Sequence, residues 1–434
     1  MAVDRLGPIQ LAPGITPGNV LTLVATMFFL GIMVPYINFA QPFILTEHLG
    51  IARDRQGVAS GDLAFWTEVV LIALSGLMGA WSDRAGRRLV LTLGLALVAA
   101  SYMLYPLAES FGELLAYRVV YAVGMASIGV MTVALQAEYP AEHSRGKLVG
   151  IIAMLSIIGI LLIVVALAPL PARFIAGGAT PVEAGRYAYW ITAVISVLAT
   201  AVAWLGLARH NQARPSELPF AQRLQLGLTA VRDNPRIALA CGAAFVARTD
   251  LVVVVVFLSL WITQVGQDRG LATGTALVQA AAVFGAVQGA ALLFAPVMGL
   301  ITDRINRVLA LVGATALAML GYVWIGLLET PLGPAAYPAA VVLGMGQLAA
   351  ILAATALLGQ EARGQSVGVV SGMFTLAGAI GILLATKIGG WVFDAWMPGG
   401  PFVITGLLNG LVMLAALAVM AAGRHRPATA AAGS

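Results

Sequence analysis

Twelve runs of about twenty apolar residues recur along this chain, more than any soluble fold can bury. A helix needs about 20 residues to cross a bilayer's hydrocarbon core. Runs of that size fall at 19–43, 60–81, 88–107, 112–137, 147–170, 187–207, 237–262, 273–301, 308–328, 334–358, 366–393 and 401–422. Hydrophobic residues make up 60% of the 434 and charged residues 10%, whereas soluble domains are about one quarter charged. The runs lack period-two alternation and are rich in Leu, Ala and Gly, which favours helices over a membrane barrel. The expected fold class is an all-α integral membrane protein with twelve transmembrane helices, and the lipid bilayer is its solvent.

The stretch GPIQLAPGITPGN before the first run lacks a basic n-region, and the run is too long for a signal-peptide core, so it is expected to remain as a membrane helix. Cys241 lies alone in an apolar run and reads as a small buried thiol. Orientation follows from the basic residues. If all twelve runs cross, sixteen Lys and Arg fall on one side, five on the other, and Arg118, Arg248 and Lys387 lie inside the spans, which accounts for all 24. Both termini are therefore expected to be cytoplasmic, in a plasma membrane of the bacterial inner type. The net charge of +5 reflects topology, and no nucleic-acid partner is expected.

The longest polar interruption, 208–236, divides the spans six and six. The expected organisation is an N-terminal tail (1–18), a six-helix half (19–207), a cytoplasmic linker (208–236), a second half (237–422) and a C-terminal tail (423–434). Residues 220–231 within the linker suit either a short basic surface helix or a solvated connector. Internal similarity supports the division. GAWSDRAGRR from Gly79 is echoed by GLITDRINRV from Gly299, and GMAS at Gly124 by GMGQ at Gly344, both 220 residues later. RGKLVG at Arg145 is echoed by RGQSVG at Arg363, 218 later. Six spans per half imply a parallel repeat about an axis along the membrane normal.

With these anchors in place, the chain resembles the major facilitator superfamily over nearly its whole length. The resemblance rests on GLMGAWSDRAGRR after the second of twelve spans, its degenerate copy after the eighth, YRVVYAVGMAS in the fourth and GGWVFDAWMPGGPF closing the eleventh. It implies alternating access to a cavity between the halves, and a cytoplasmic latch. In that latch Gly79 permits close helix approach, and Asp83 ends the second helix against the N-terminus of the eleventh. Gly86 allows the turn, Arg87 reaches Glu138, and Arg84 and Arg88 face water and headgroups. Asp303, Arg304 and Arg307 form the second copy, with Asn306 where the first has Gly86.

Ionisable groups inside a span are costly, so they face a cavity or a partner. Glu68 lies fifteen residues before Asp83, about 22 Å along a helix, and Arg248 twelve past Arg236, about 18 Å. Glu68, Arg248 and Asp250 thus share a depth. Glu68 falls on one stripe, about 100° wide, with Ile72, Ser75, Gly76, Gly79 and Asp83, and its repeat partner is the neutral Gln288. Arg248 and Asp250 point to nearly opposite faces and each needs its own partner. An arginine keeps its charge whereas a desolvated carboxylate can take up a proton, so Glu68 or Asp250 is the candidate proton carrier. A structural Glu68–Arg248 pair is the competing reading. Arg118 is a candidate substrate counter-ion or relay member. Tyr36, Asn38, Gln41 and Gln347 are cavity-lining or helix-packing residues. Asp62 and Lys387 lie near the outer boundary.

The chain has no phosphate-binding G-x-x-x-x-G-K-S/T loop and no H-E-x-x-H, and its four histidines are scattered, so neither an enzyme nor ATP-driven transport is expected. No cofactor and no metal are expected, and a monomer is. The expected function is secondary active transport of a small-molecule substrate, coupled to protons. Its direction is either export of an amphipathic compound or uptake of an organic anion, and the fifth span lacks the G-P-x-x-G-G-like stretch of drug antiporters. A non-transporting receptor or scaffold on the same fold is the alternative.

Overall fold

The computed structural model describes residues 5–209, 220–362 and 367–424. The centre of the linker, the repeat anchor at Arg363 and the end of the C-terminal tail lie outside the described residues. Within them, twelve helices are long and apolar enough to cross a membrane. They are α1 (Pro17–His48), α2 (Arg53–Ala85), α3 (Arg87–Leu107), α4 (Phe111–Glu138), α5 (Glu142–Ala176), α6 (Pro181–Gly206), α7 (Pro235–Asp268), α8 (Thr273–Arg304), α9 (Arg307–Gly326), α10 (Ala336–Glu361), α11 (Gly368–Ala395) and α12 (Gly400–Ala422). A thirteenth helix, Phe220–Asp233, precedes α7.

Local chemistry sets where these helices begin. Thr16 and Asn19 form a capping box at the start of α1, with Pro17 in its first turn. Thr180 and Glu183 do the same for α6, and Ser110 caps α4. Such caps satisfy backbone donors that have no partner within the helix. Three spans contain a π-helical turn, at Ile44–His48, Ile163–Leu167 and Val254–Leu258. Turns of this type interrupt regular hydrogen bonding and are frequent at functional sites.

The chain divides into two compact units, Met1–Ser216 with Val255–Gly285, and Glu217–Val254 with Ala286–Ser434. Residues 255–285 therefore group with the first unit, and the changeover in α7 falls at its π-turn. In the first unit, α3 packs on α4 and α6, α1 on α5 and α6, and α2 on α4. The α3–α4 crossing is close because a methyl group on Gly124 would come 2.6 Å from the Gly94 carbonyl oxygen. Residues 255–285 are tied to the ends of α1 and α2 by an Arg53–Asp268 ion pair, by a Glu47–Thr273 hydrogen bond and by Gln264 donating to Gln56 at 3.1 Å. In the second unit, α9 packs on α10 and α12, and α7 on α10, α11 and α12.

The stretch before α1 is folded onto the first unit. Arg5–Leu6 and Ile9–Gln10 pair as a short antiparallel hairpin. Leu11 bridges to Pro140, Ala141 N donates to the Gln10 carbonyl at 2.9 Å, and Gln10 N donates to Ser144 Oγ at 3.1 Å. Ile9, Leu11 and Ile15 are buried, so this segment straps the connection between α4 and α5.

Candidate functional site

The first unit gathers its buried polar groups around Arg118. This side chain on α4 is 1% exposed. Its Nε donates to Thr67 Oγ1 of α2 at 2.9 Å, and one terminal nitrogen donates to Asn38 Oδ1 of α1. Among the described residues the other terminal nitrogen makes no hydrogen bond, and no carboxylate pairs with the guanidinium. Its carbon lies 5.1 Å from the centre of the Tyr121 ring, a cation–π distance.

Five buried tyrosines, Tyr36, Tyr102, Tyr105, Tyr121 and Tyr189, fill the surroundings. Tyr105 stacks on Tyr189 at 5.5 Å, and Tyr36 lies 5.7 Å from Tyr189. Tyr102, Tyr121 and Tyr189 donate to carbonyls of α1 at Met33, Val34 and Ile37, beside Pro35 within that helix. Tyr105 donates to the buried Gln41 at 3.4 Å. The Tyr36 hydroxyl alone of the five has no hydrogen-bond partner among the described residues. Thus Tyr36, Asn38, Gln41 and Arg118 come together. The other tyrosines and Thr67 were not singled out from sequence, although Tyr102 and Tyr105 at i, i+3 and Tyr117 and Tyr121 at i, i+4 carry the signal of a polar helix face.

The second unit has a smaller buried polar centre. Asp250 on α7 is fully buried, and its Oδ1 accepts from Asn409 Nδ2 of α12 at 2.9 Å. Tyr322 of α9 donates to the Asp250 backbone carbonyl at 2.8 Å. Among the described residues, Asp250 Oδ2, Asn409 Oδ1 and both amide atoms of the buried Gln347 have no hydrogen-bond partner. Thr405, whose carbonyl accepts from Asn409 at 3.1 Å, also lines an apolar cleft of about 260 Å³ between α7, α11 and α12. Arg248, two residues before Asp250, is exposed and makes no ion pair among the described residues. A methyl group on Gly378 would come 2.5 Å from its Cγ, so that glycine leaves room for the arginine stem. Gln288 is buried in this unit. Glu68 is half-buried on α2 in the other and keeps an interaction of its own.

At the end of α2, Arg87 contacts Asp83 at 2.8 Å and Glu138 at 3.1 Å, and it also donates to Ser82. Gly86 takes φ 93°, a conformation that glycine adopts without steric cost. Arg84 is exposed. Arg88 differs from the expectation of a solvated side chain: its guanidinium lies 4.4 Å from the Trp204 ring centre, because an arginine beside an aromatic face gains more there than in water. Within its own unit, a methyl group on Gly79 would meet the Val130 side chain at an ordinary 3.6 Å. In the second copy, Asn306 caps Val308 N at 2.8 Å, and Arg307 donates to the Ala356 carbonyl at 3.2 Å, while Asp303 and Arg304 are exposed. A side-chain cap thus replaces the glycine turn, and a backbone acceptor replaces the glutamate.

The profile of the Major Facilitator Superfamily matches residues 21–386. The chain is 26% identical over 426 residues to the magnetosome protein MamZ of Paramagnetospirillum magneticum, covering 94% of this chain but 63% of that protein. It therefore spans less than two thirds of that relative's length. It is also 26% identical to the magnetosome protein MamH of the same organism, over 88% of this chain and 87% of that one. Among solved structures, the nucleoside transporter NupG superposes with a TM-score of 0.71 at 14% identity, covering 94% of this chain and 99% of that one. A D-xylose-proton symporter gives 0.62 at 18%, covering 92% and 96%.

Proposed function

Because the chain belongs to the major facilitator superfamily, we propose that this multi-pass membrane protein is a proton-coupled secondary transporter of a small organic anion. The observation that carries this reading is Arg118: a permanent cation, 1% exposed, with one nitrogen unused and no carboxylate paired to it among the described residues. A buried charge without a counter-ion is costly, and an anionic substrate would remove that cost at the moment of binding. Arginine suits carboxylate or phosphate because its fork can grip two oxygens at once. The tyrosines add aromatic faces and hydroxyl groups, which suit a ligand with both apolar and polar parts.

In this reading the two sequence halves, 19–207 and 237–422, are the moving bodies of an alternating-access cycle, with both termini and the linker cytoplasmic. The Asp83–Arg87–Glu138 cluster acts as a latch whose energy biases one state over the other. Proton coupling falls to a carboxyl group at membrane depth, Glu68 or Asp250. The discriminating experiment has two stages. A thermal-shift screen of the purified protein against carboxylate and phosphate metabolites selects a ligand, and its flux into liposomes is then measured with and without an imposed pH gradient. Selective stabilisation by anions and gradient-driven accumulation are expected. Stabilisation by neutral or cationic compounds alone would overturn the anion assignment, and flux indifferent to the gradient would overturn the coupling.

A further inference from the structure

Among the described residues, the buried side chains of Asp250 and Asn409 each keep one oxygen without a donor. Asn409 Nδ2 has two hydrogens and two acceptors, Asp250 Oδ1 at 2.9 Å and the Thr405 backbone carbonyl at 3.1 Å. A backbone carbonyl can only accept, so the Thr405 contact fixes which end of the amide carries nitrogen. Asn409 Oδ1 is then left as an acceptor without a donor, and Asp250 Oδ2 is left the same way. Both residues are 0% exposed. An ionised carboxylate would bring together two orphan acceptors and a negative charge in a dry site, an arrangement native proteins rarely leave unresolved.

We propose that Asp250 carries a proton on Oδ2 and donates it to Asn409 Oδ1, closing a two-hydrogen-bond acid–amide ring between α7 and α12. A single proton satisfies both orphan atoms. Asn409 is thus a positioning residue that holds the proton site, and release of the proton breaks one hydrogen bond of the ring and leaves two acceptors facing each other. Proton loss therefore loosens α12 from α7 beside the π-turn at Val254–Leu258. The part this plays in transport rests on the proton coupling proposed above; the ring itself does not.

The neighbours of Asp250 supply no alternative counter-charge. Tyr322 on α9 spends its hydroxyl hydrogen on the Asp250 backbone carbonyl. Arg248 on α7 is exposed and lies against Gly378 of α11. Lys387 on α11 is six residues, about 9 Å along a helix, beyond Gly381, which packs on Thr249. Asp394 lies further still along α11, and Tyr337 and Glu361 occupy the two ends of α10. Helix α12 offers Asn409 and Thr405 but no charged group at this level. Among the described residues Asp250 has no ion pair.

The test is difference infrared spectroscopy of the full-length protein in nanodiscs, with melting curves taken alongside. Wild type should show the carbonyl stretch of a protonated carboxylic acid at neutral pH. The band should vanish in Asp250→Asn and shift to that of a more weakly hydrogen-bonded acid in Asn409→Leu. Asp250→Asn should melt at or above the wild-type temperature, because an amide copies the protonated acid and keeps both ring bonds. Absence of an Asp250-dependent band, or a large loss of thermal stability in Asp250→Asn, overturns the ring. If the band is present while liposome flux ignores the pH gradient, the ring stands and only the coupling reading fails.

Discussion

Replacing Arg118 with methionine separates a binding cation from a structural one, because the two roles predict opposite balances of affinity and stability. Arg118→Met keeps an apolar stem of similar reach but removes the charge. On the stability side it strands Asn38 Oδ1, which accepts from the arginine now, at a cost of about 1–3 kcal/mol, while Thr67 Oγ1 loses one incoming bond but keeps its own donation to the Leu63 carbonyl. It also removes the several kcal/mol needed to desolvate a buried ion that lacks a counter-charge. These terms oppose each other, so the unliganded variant should melt close to the wild type. Affinity has no such offset. Losing charge-assisted hydrogen bonds to an anion should cost about 2–4 kcal/mol, on the order of 30- to 1000-fold in Kd. Titration calorimetry with the anion selected by thermal-shift screening reads the affinity, and scanning calorimetry without ligand reads the stability. A variant that binds this anion as tightly as the wild type refutes the counter-ion argument. Collapse of the unliganded fold would show instead that Arg118 is a structural tie.

Tags at the N-terminus, within Arg209–Arg236 and at the C-terminus should all report the cytoplasm; an outward-facing linker would overturn the six-and-six division. Asp83→Asn removes one of the two carboxylates on Arg87 but leaves Glu138 in contact at 3.1 Å, so a loss of around 1 kcal/mol should slow transport without preventing insertion. Wild-type turnover would take Asp83 out of the cycle. Glu68→Gln should abolish gradient-driven accumulation while exchange of substrate persists, whereas an intact response to the gradient would exclude Glu68 as the carrier. Burial pushes the Tyr139 phenol up to about 12, although the Ala208 N–H donating to its oxygen opposes this. Its contribution to stability is therefore present below about pH 10 and lost as the pH rises toward 12. Tyr139→Phe should flatten that alkaline loss in melting curves, and an unchanged slope would show that other groups control it.

Which parts of this molecule are legible in its sequence depends on whether the deciding interaction is local. Span positions are legible because twenty consecutive apolar residues leave the backbone no solution in lipid other than a helix. The Gly86 turn and the nearby Arg87–Glu138 contact are legible because a short motif confines its partners to a few positions. Arg88 and the stretch before α1 were harder to read. A cation beside two apolar runs looks solvated until the fold brings Trp204 to it, and a Pro- and Gly-rich leader looks loose until the α4–α5 connection offers backbone partners to residues 10–12. Both depend on residues more than a hundred positions away.

The polar centres show the same limit more sharply. A lone arginine or aspartate inside a span announces that some arrangement must compensate for it, and Arg118 and Asp250 could be found on that ground alone. Their neutral partners could not. Thr67, Tyr105 and Asn409 are ordinary in composition and matter because of what faces them across a helix interface. Glu68 and Arg248 matched in depth, yet depth sets only one of the three coordinates a contact needs. The structure leaves Arg248 exposed beside Gly378 while its near neighbour Asp250 is sealed against α12. Two residues of offset on a helix, about 200° of rotation, thus separate a side chain in an open setting from one enclosed between α7 and α12.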